Sequence, residues 1–288
     1  MDEALSLRIQ RDTGELPDET EIRKRLETSP LVSALTADFI RKPLFAVWRL
    51  IALSEIPYAA SLDYTKQVAD FVLDHMATPS GFTLSGKDTD LLPCYNAMLL
   101  EAFSKLGYAD TDAARNAVAW IRNYQPFERN IPTLWTGKGI LKYGGCLKAT
   151  PCYIGIGKTV KALCHYSRAT MNADPAISAL IDKGMAYLCR HNLFRRLSNG
   201  EPVTRHILDI AFPASYHLNI VELMEIAFFT GYVRMDCSQD ALDYVKRMKI
   251  QDDYWKINFI YQADGYVSFD RKGQKGEWVT YLLERYTA

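Results

Sequence analysis

Two glutamates three residues apart, Glu222 and Glu225, interrupt a run from Leu218 to Phe229 that is otherwise almost wholly apolar. With Asn219 three residues upstream they occupy one helical face. Polar groups on such a face need partners or water when buried. The set therefore reads either as an anchor for loops or as a polar patch on a cavity wall, supplying a general acid of raised pKa. Glu101, in a second apolar run, fits the same two readings. Arg190, Arg195, Arg196 and Arg205 gather with His191 and His206. They suit a phosphate or diphosphate, and equally a solvated helix C-terminus whose dipole favours cations. Gly155-Ile156-Gly157-Lys158-Thr159 imitates the end of a phosphate-binding loop, but the loop's first glycine would fall on Cys152 and no apolar strand precedes it. Nucleotide binding there is rejected, and the glycines are read as sites of close approach by a neighbouring helix or a ligand.

The elements that must position these residues repeat along the chain. After Pro93, the residues Cys94, Ala97, Met98, Leu99, Leu100, Ala102, Phe103 and Leu106 leave almost no polar face, which predicts a helix buried nearly all round and closed by Gly107. Asp110 and Thr111 then cap a second helix with one apolar stripe, Ala113, Ala117, Trp120, Ile121 and Tyr124. The same order follows Pro151, with a start signal at Asn172 to Pro175 and an outer helix through Tyr187 to His191, and again follows Pro213, with Gly231 and an outer helix near Gln239 to Met248. Leu44 to Glu55 and Tyr64 to His75 form a weaker first pair, and Trp278 to Tyr286 a final unpaired helix. The buried helices start near residues 43, 93, 151, 213 and 277, a spacing of 50 to 64 residues that marks a repeat array with inserted loops. The pattern predicts an all-α fold: an α/α toroid or partial barrel in which apolar helices form an inner ring, half-apolar helices wrap it, and a depression is left in the middle. Residues 1–30 read as a polar extension and 31–288 as one domain. Loops such as Gly137 to Gly145 and Asp264 to Gly276 separate the pairs, with a short strand expected at Tyr266 to Phe269.

Composition narrows the partners. The 34 basic residues cancel the 34 acidic ones, so no general field draws nucleic acid or an anionic membrane. Apolar runs such as Ala46 to Ala52 stop far short of the ~20 residues of a membrane span. Asp2 and Glu3 open a polar N-terminus unlike a secretory signal, which points to the cytoplasm. Six cysteines without a CxxC pair suit reduced thiols, and disulfides are not expected.

Several segments together resemble the α/α toroid shared by terpenoid cyclases and the β subunits of protein prenyltransferases, most closely a prokaryotic prenyltransferase-like branch. They are Pro151-Cys152-Tyr153 with Gly155 and Val160-Lys161-Ala162-Leu163; His191-Asn192-Leu193-Phe194-Arg195-Arg196; Ala211-Phe212-Pro213 with Tyr216; and Glu277-Trp278-Val279-Thr280. The resemblance covers roughly residues 40 to 286 and is more specific for fold than for activity. It implies an isoprenoid or other apolar ligand in a central cavity, acted on by an enzyme or held by a non-catalytic toroid that binds a lipid-like ligand or a partner protein. Five inner helices rather than six imply an open or short barrel. The implied ligand-lining residues are Tyr95, Asn96, Tyr153, Tyr216, Asn219 and Trp278, with Trp135 and Phe228 as further wall aromatics.

The family's catalytic motifs are incomplete. Asp88-Thr89-Asp90 approaches the D-x-D-D acid motif and fails at Leu91, leaving Asp90 as a candidate acid or as part of a helix-start loop. Asp252-Asp253-Tyr254-Trp255-Lys256 has lysine where a magnesium-binding D-D-x-x-D cluster needs its third carboxylate. The resemblance to zinc-dependent prenyltransferases draws attention to Cys94, Cys152 and His217, expected in the first turns of successive inner helices, with Cys146 as a fourth ligand. Thiolate and imidazole suit zinc, and buried packing is the other reading of these thiols. The zinc arrangement requires one equivalent of metal per purified chain; metal analysis returning none removes it.

Overall fold

In the computed structural model the described residues are 1–137, 146–171, 174–251 and 253–288. Most of the loop expected at Gly137 to Gly145, Asn172 and Ala173 of the expected helix start, and Asp252 lie outside them. The chain begins with α1 (Glu3–Thr13), α2 (Glu19–Thr28) and α3 (Pro30–Thr36). Asp2 caps α1 through the Ala4 amide and also accepts from the Ser29 hydroxyl at 2.6 Å, which fixes the entry to α3. The polar composition of residues 1–30 thus conceals two helices, and Ala4, Leu5, Leu7 and Leu26 join the common core.

Four helical hairpins and a last helix follow: α4 (Pro43–Ser54) with α5 (Asp63–Met76), α6 (Pro93–Lys105) with α7 (Asp112–Tyr124), α8 (Tyr153–Thr170) with α9 (Pro175–Arg190), α10 (Ile220–Thr230) with α11 (Asp236–Arg247), and α12 (Glu277–Thr287). The fold is all-α. In α6 every residue from Pro93 to Ser104 is buried, whereas α11 buries only Ser238, Ala241, Leu242 and Val245, so the two helix types read from the sequence are distinct in burial. The buried helices pack in chain order, α4 on α6, α6 on α8, α8 on α10 and α10 on α12. Their last turns converge on one depression, to which Ser54, Lys105, Ala169, Phe229 and Arg285 each contribute, so the five run in the same direction. Helix α1 bridges the first and last of them: Arg8 reaches Glu55 just after α4, and Asp12 accepts from the Tyr281 hydroxyl of α12 at 3.0 Å.

A Cβ at Gly157 would meet the end of the Leu218 side chain in the segment ahead of α10, a close approach the glycine permits, whereas at Gly155 a Cβ would make only ordinary contacts. Three expectations need correction. The third repeat's inner helix starts at Tyr153, close to Pro151, but the fourth starts at Ile220 rather than Pro213: the Ser215 and His217 carbonyls accept from Lys158 of α8, and the helix begins only where Asn219 caps the Glu222 amide at 3.1 Å. Tyr266 to Phe269 is irregular, tied by Phe269 N to Phe212 O (3.2 Å) and Tyr266 Oη to Pro213 O (2.8 Å) instead of a ladder. The strands form elsewhere, as the two-residue pair β1 (Ala77–Thr78) and β2 (Gly81–Phe82). Finally, Cys189 of α9 and Cys237 of α11 form a disulfide, so the six cysteines are not all free thiols; the spacing of 48 residues is invisible as a local pattern, and only the packing of two outer helices brings their Cα atoms to 5.0 Å. No helix among the described residues is long and apolar enough to cross a membrane.

Candidate functional site

The centre of the inner helices holds charges rather than a purely apolar lining. Lys158 and Lys161, three apart on α8, point at Glu222 and Glu225, three apart on α10. Lys158 Nζ meets Glu222 Oε1 at 2.6 Å and the Ser215 carbonyl at 2.7 Å. Lys161 Nζ lies 2.9 Å from Glu225 Oε2, 3.1 Å from Glu101 Oε1 of α6 and 3.5 Å from Glu222 Oε1. One turn further along α6, Lys105 contacts Glu101 at 2.5 Å and Glu55 at 2.8 Å, and Arg8 of α1 approaches Glu55 at 3.4 Å. His165 Nε2 completes the set 3.0 Å from Glu225 Oε1. Four carboxylates (Glu55, Glu101, Glu222, Glu225) thus face four cations (Arg8, Lys105, Lys158, Lys161), contributed by α1, α6, α8, α10 and the end of α4, and all eight residues are buried or nearly so.

Burial alone would push Glu101 upward, but Lys105 and Lys161 hold it down at about 2, and the same lysines with His165 hold Glu225 well below the ordinary carboxylate range. Burial lowers Lys158 despite Glu222, whereas for Lys161 the carboxylates outweigh burial and the ammonium is strongly favoured. Burial, then Lys105, depress His165, which is therefore a neutral imidazole at pH 7. The expectation of a proton-bearing Glu225 is corrected: two ammonium groups keep it ionised, so it is an acceptor and not an acid. Glu101, His165 and Glu225 are the one set of three potential metal ligands that converges among the described residues, within 4.8 Å. Lys105 and Lys161 already sit on its carboxylate oxygens, which opposes a further cation.

The depression at the C-terminal end of the inner helices has a volume of about 460 Å³ and is lined by Arg8, Arg11, Asp12, Lys105, His165, Arg168 and Arg285, with Phe229 and two serines. Asp12 is shared by Arg8 at 2.8 Å, Arg11 at 3.5 Å and Arg285 at 3.7 Å, and Arg168 lies over the Phe229 ring, its Cζ 4.7 Å from the centroid. The five cations sit where helix dipoles are negative, which stabilises them collectively. At the opposite end the side chains are aromatic and sulfur-bearing. His217 packs on His206 at 4.2 Å and edge-on to Tyr216, Phe259 and Tyr261, while Tyr95 lies 6.1 Å from both Trp48 and Tyr216.

Of the residues singled out from sequence, only Glu222 and Glu225, with Glu101, meet at the centre. Asn219 is a helix cap whose amide also donates to Ala211 O at 3.1 Å. Asn96 is structural: its Oδ1 accepts from Phe82 N at 2.9 Å and its amide reaches Ala117 O, so both of its polar atoms hold β2 against α7. Tyr153 donates to the Leu193 carbonyl, and Trp278 is packed between Phe212 and Phe269. Asp90 lies in a half-exposed turn, accepting from the Ser85 hydroxyl at 2.8 Å, with no link to the central carboxylates. Cys94 and Cys152 stand at the starts of α6 and α8 as expected, but His217 lies outside any helix and the three donor atoms do not converge. Arg195, from the basic cluster, is bound to Asp240 at 2.5 Å.

No family model matches the chain, nor does any curated protein or solved structure. The site therefore rests on its geometry. Lys158, Lys161, Lys105 and Arg8 are the residues that sequence reasoning passed over. A signal existed: lysines at i and i+3 in one apolar helix and glutamates at i and i+3 in another are complementary sets that neither helix can bury alone.

Removing one partner from such a network leaves buried charge uncompensated. Lys161→Met is expected to destabilise the fold by about 3–5 kcal/mol in urea unfolding, against under about 1 kcal/mol for Arg41→Ala at an exposed pair. Acid should act on the same groups. His165 has a folded pKa below its ordinary 6.5, so its stabilising neutral form is lost as pH falls from 6.5. Glu101 contributes stability that is complete above 4.5 and disappears as pH falls toward about 2, and Glu225, held well below the ordinary carboxylate range, loses its contribution in the same direction. Thermal melts should show a midpoint that declines from pH 6.5 and falls more steeply below 4.5; a flat profile to pH 3 contradicts the network.

Proposed function

We propose that this protein is a ligand-binding helical-repeat protein whose cationic depression takes a small polyanion, a phosphate or diphosphate group first among them. One observation carries the reading: Arg11, Arg168 and Arg285 face the depression with Asp12 as the lining carboxylate, after Arg8 and Lys105 are set against Glu55 and Glu101. Three positive charges less one negative leave two in excess, opposite in sign to a phosphate or diphosphate and about the charge of a single phosphate group. Guanidinium groups recognise phosphate oxygens through paired hydrogen bonds. Crowding by Arg8 adds to burial in lowering Arg11, and an anion bound there relieves that repulsion.

The resemblance to terpenoid cyclases and prenyltransferases, with the closed or partial toroid it implies, extends this reading. On it the polyanion is the head of an isoprenoid diphosphate, and Phe229 and the stem of Arg168 offer the first apolar contact for the tail. Binding is favoured over turnover by the state of the central carboxylates, since lysines hold Glu101 and Glu225 without a proton to give. Non-catalytic binding is therefore the form of the proposal that the charge network supports.

Calorimetric titration with inorganic diphosphate at low ionic strength is expected to show one site that weakens steeply with added salt. Arg11→Glu with Arg168→Glu should weaken it at least about tenfold, and Arg41→Glu, far from the depression, should leave it unchanged. Absence of binding at millimolar diphosphate overturns the reading.

A further inference from the structure

The two half-exposed thiols that flank the start of α8 are set up for a reaction that neither the charge network nor the cationic depression uses. The chain enters α8 through a tight loop in which Leu147 pairs antiparallel with Pro151, and one step outward the Cys152 amide donates to the Cys146 carbonyl at 3.1 Å. Cys146 and Cys152 are thus cross-strand partners, 147 with 151 continuing to 146 with 152. Residues so opposed have Cα atoms roughly 5.5 Å apart with side chains on the same face, inside the range a disulfide spans. Cys152 is also the N-cap of an 18-residue helix, its Sγ accepting from the Gly155 amide at 3.5 Å. Both thiols are half-buried, whereas Cys94 and Cys164 are buried.

We propose that Cys146 and Cys152 form a redox-active dithiol, in which Cys152 is the attacking thiolate and Cys146 the resolving thiol. The physical basis is asymmetry within the pair. The neighbouring Cys146 thiol, with the Gly155 and Ile154 amides, brings Cys152 down to about 6 against the opposing effect of burial. The closeness of Cys152, and burial, raise Cys146 in turn. The other groups that face the pair are Cys94 from α6, which burial pushes up to about 12, and Tyr216, whose hydroxyl burial likewise pushes up, so both remain neutral spectators.

The oxidant is a hydroperoxide. The Cys152 thiolate attacks the terminal oxygen, the O–O bond breaks, the sulfur is oxidised by two electrons to a sulfenic acid, and the alkoxide or hydroxide leaves and takes a proton from solvent. Cys146 then attacks the Cys152 sulfur. The S–S bond forms as the S–O bond breaks, and the departing hydroxide carries off the Cys146 proton as water. A dithiol reductant restores the pair by two exchange steps, leaving as its own disulfide and returning two protons to the cysteines.

Iodoacetamide labelling of the full-length protein across pH, read by peptide mass spectrometry, tests the thiolate. Cys152 should label with a midpoint near 6. Moving a thiol from 9 to 6 raises its thiolate fraction about 90-fold at pH 7 but lowers its nucleophilicity about 20-fold, so Cys152 should react about fourfold faster than in Cys146→Ala, whose midpoint should rise. One equivalent of hydrogen peroxide should link Cys146 to Cys152 in the unmodified protein, reversibly with dithiothreitol. Cys146→Ala should instead accumulate a sulfenic acid on Cys152 that dimedone traps. If Cys146→Ala loses helicity by circular dichroism, labelling and linkage in the unmodified protein decide alone. A Cys152 midpoint above 8, no link after peroxide, or stoichiometric zinc that shields both thiols would each overturn the proposal.

Discussion

Burying an ion costs several kcal/mol even after the surroundings relax, and this protein places eight fully or nearly fully buried charged side chains between its inner helices. That cost is tolerable only if each helix presents its charge to the right neighbour. Glu222 and Glu225 fix the rotation of α10 against Lys158 and Lys161 on α8, while Glu101 and Lys105 fix α6 against both. An apolar interface tolerates small slips in register, but here a slip of one residue would turn a lysine away from its carboxylate and leave both unpaired. The network is therefore better understood as a device for selecting one arrangement of helices than as a net source of stability.

The common direction of the inner helices has a second consequence. Their C-terminal ends share one depression, where partial negative charge accumulates and arginine and lysine are favoured; their N-terminal ends offer free amides, where a thiolate is favoured. Arg168 and Arg285 at one end and Cys152 at the other are placed accordingly. The two chemistries are kept apart by the charged layer, from Lys158 beneath the Ser215 and His217 carbonyls to Lys105 and His165 at the floor of the depression. Helix α1 belongs to this plan as well. Arg8 compensates Glu55, and Asp12 ties Arg285 and Tyr281, so the N-terminal segment completes the cationic end although its composition looks merely polar.

Periodicity made the helices legible. The buried helices α4 and α6 begin within a residue of where proline and apolar spacing put them, because a helix with no polar face must be surrounded wherever it lies, and α12, which keeps Glu277 and Glu284 exposed, begins one residue before Trp278. Legibility failed where backbone groups served distant side chains. Nothing local to Pro213 reveals that the carbonyls ahead of α10 are taken by a lysine about 57 residues earlier, and nothing near Cys189 announces Cys237. The candidate site is half legible: Glu222, Glu225 and Glu101 stand out as polar residues in apolar helices, but the general-acid reading is reversed for Glu225 once packing brings Lys161 and Lys105 against it.

What the amino-acid sequence determined by itself was the kind and order of the elements: hairpins of one wholly buried and one half-buried helix, an all-α chain with no general charge, and glutamates stranded among apolar neighbours. Those follow from local spacing, which 3.6 residues per turn converts directly into faces. Only the tertiary structure decided which charges cancel, which end of the helices is cationic, and which thiols are neighbours. Each of those depends on side chains brought together from separate helices, and the energy of a buried charge is set by its partner's position rather than by its place in the chain.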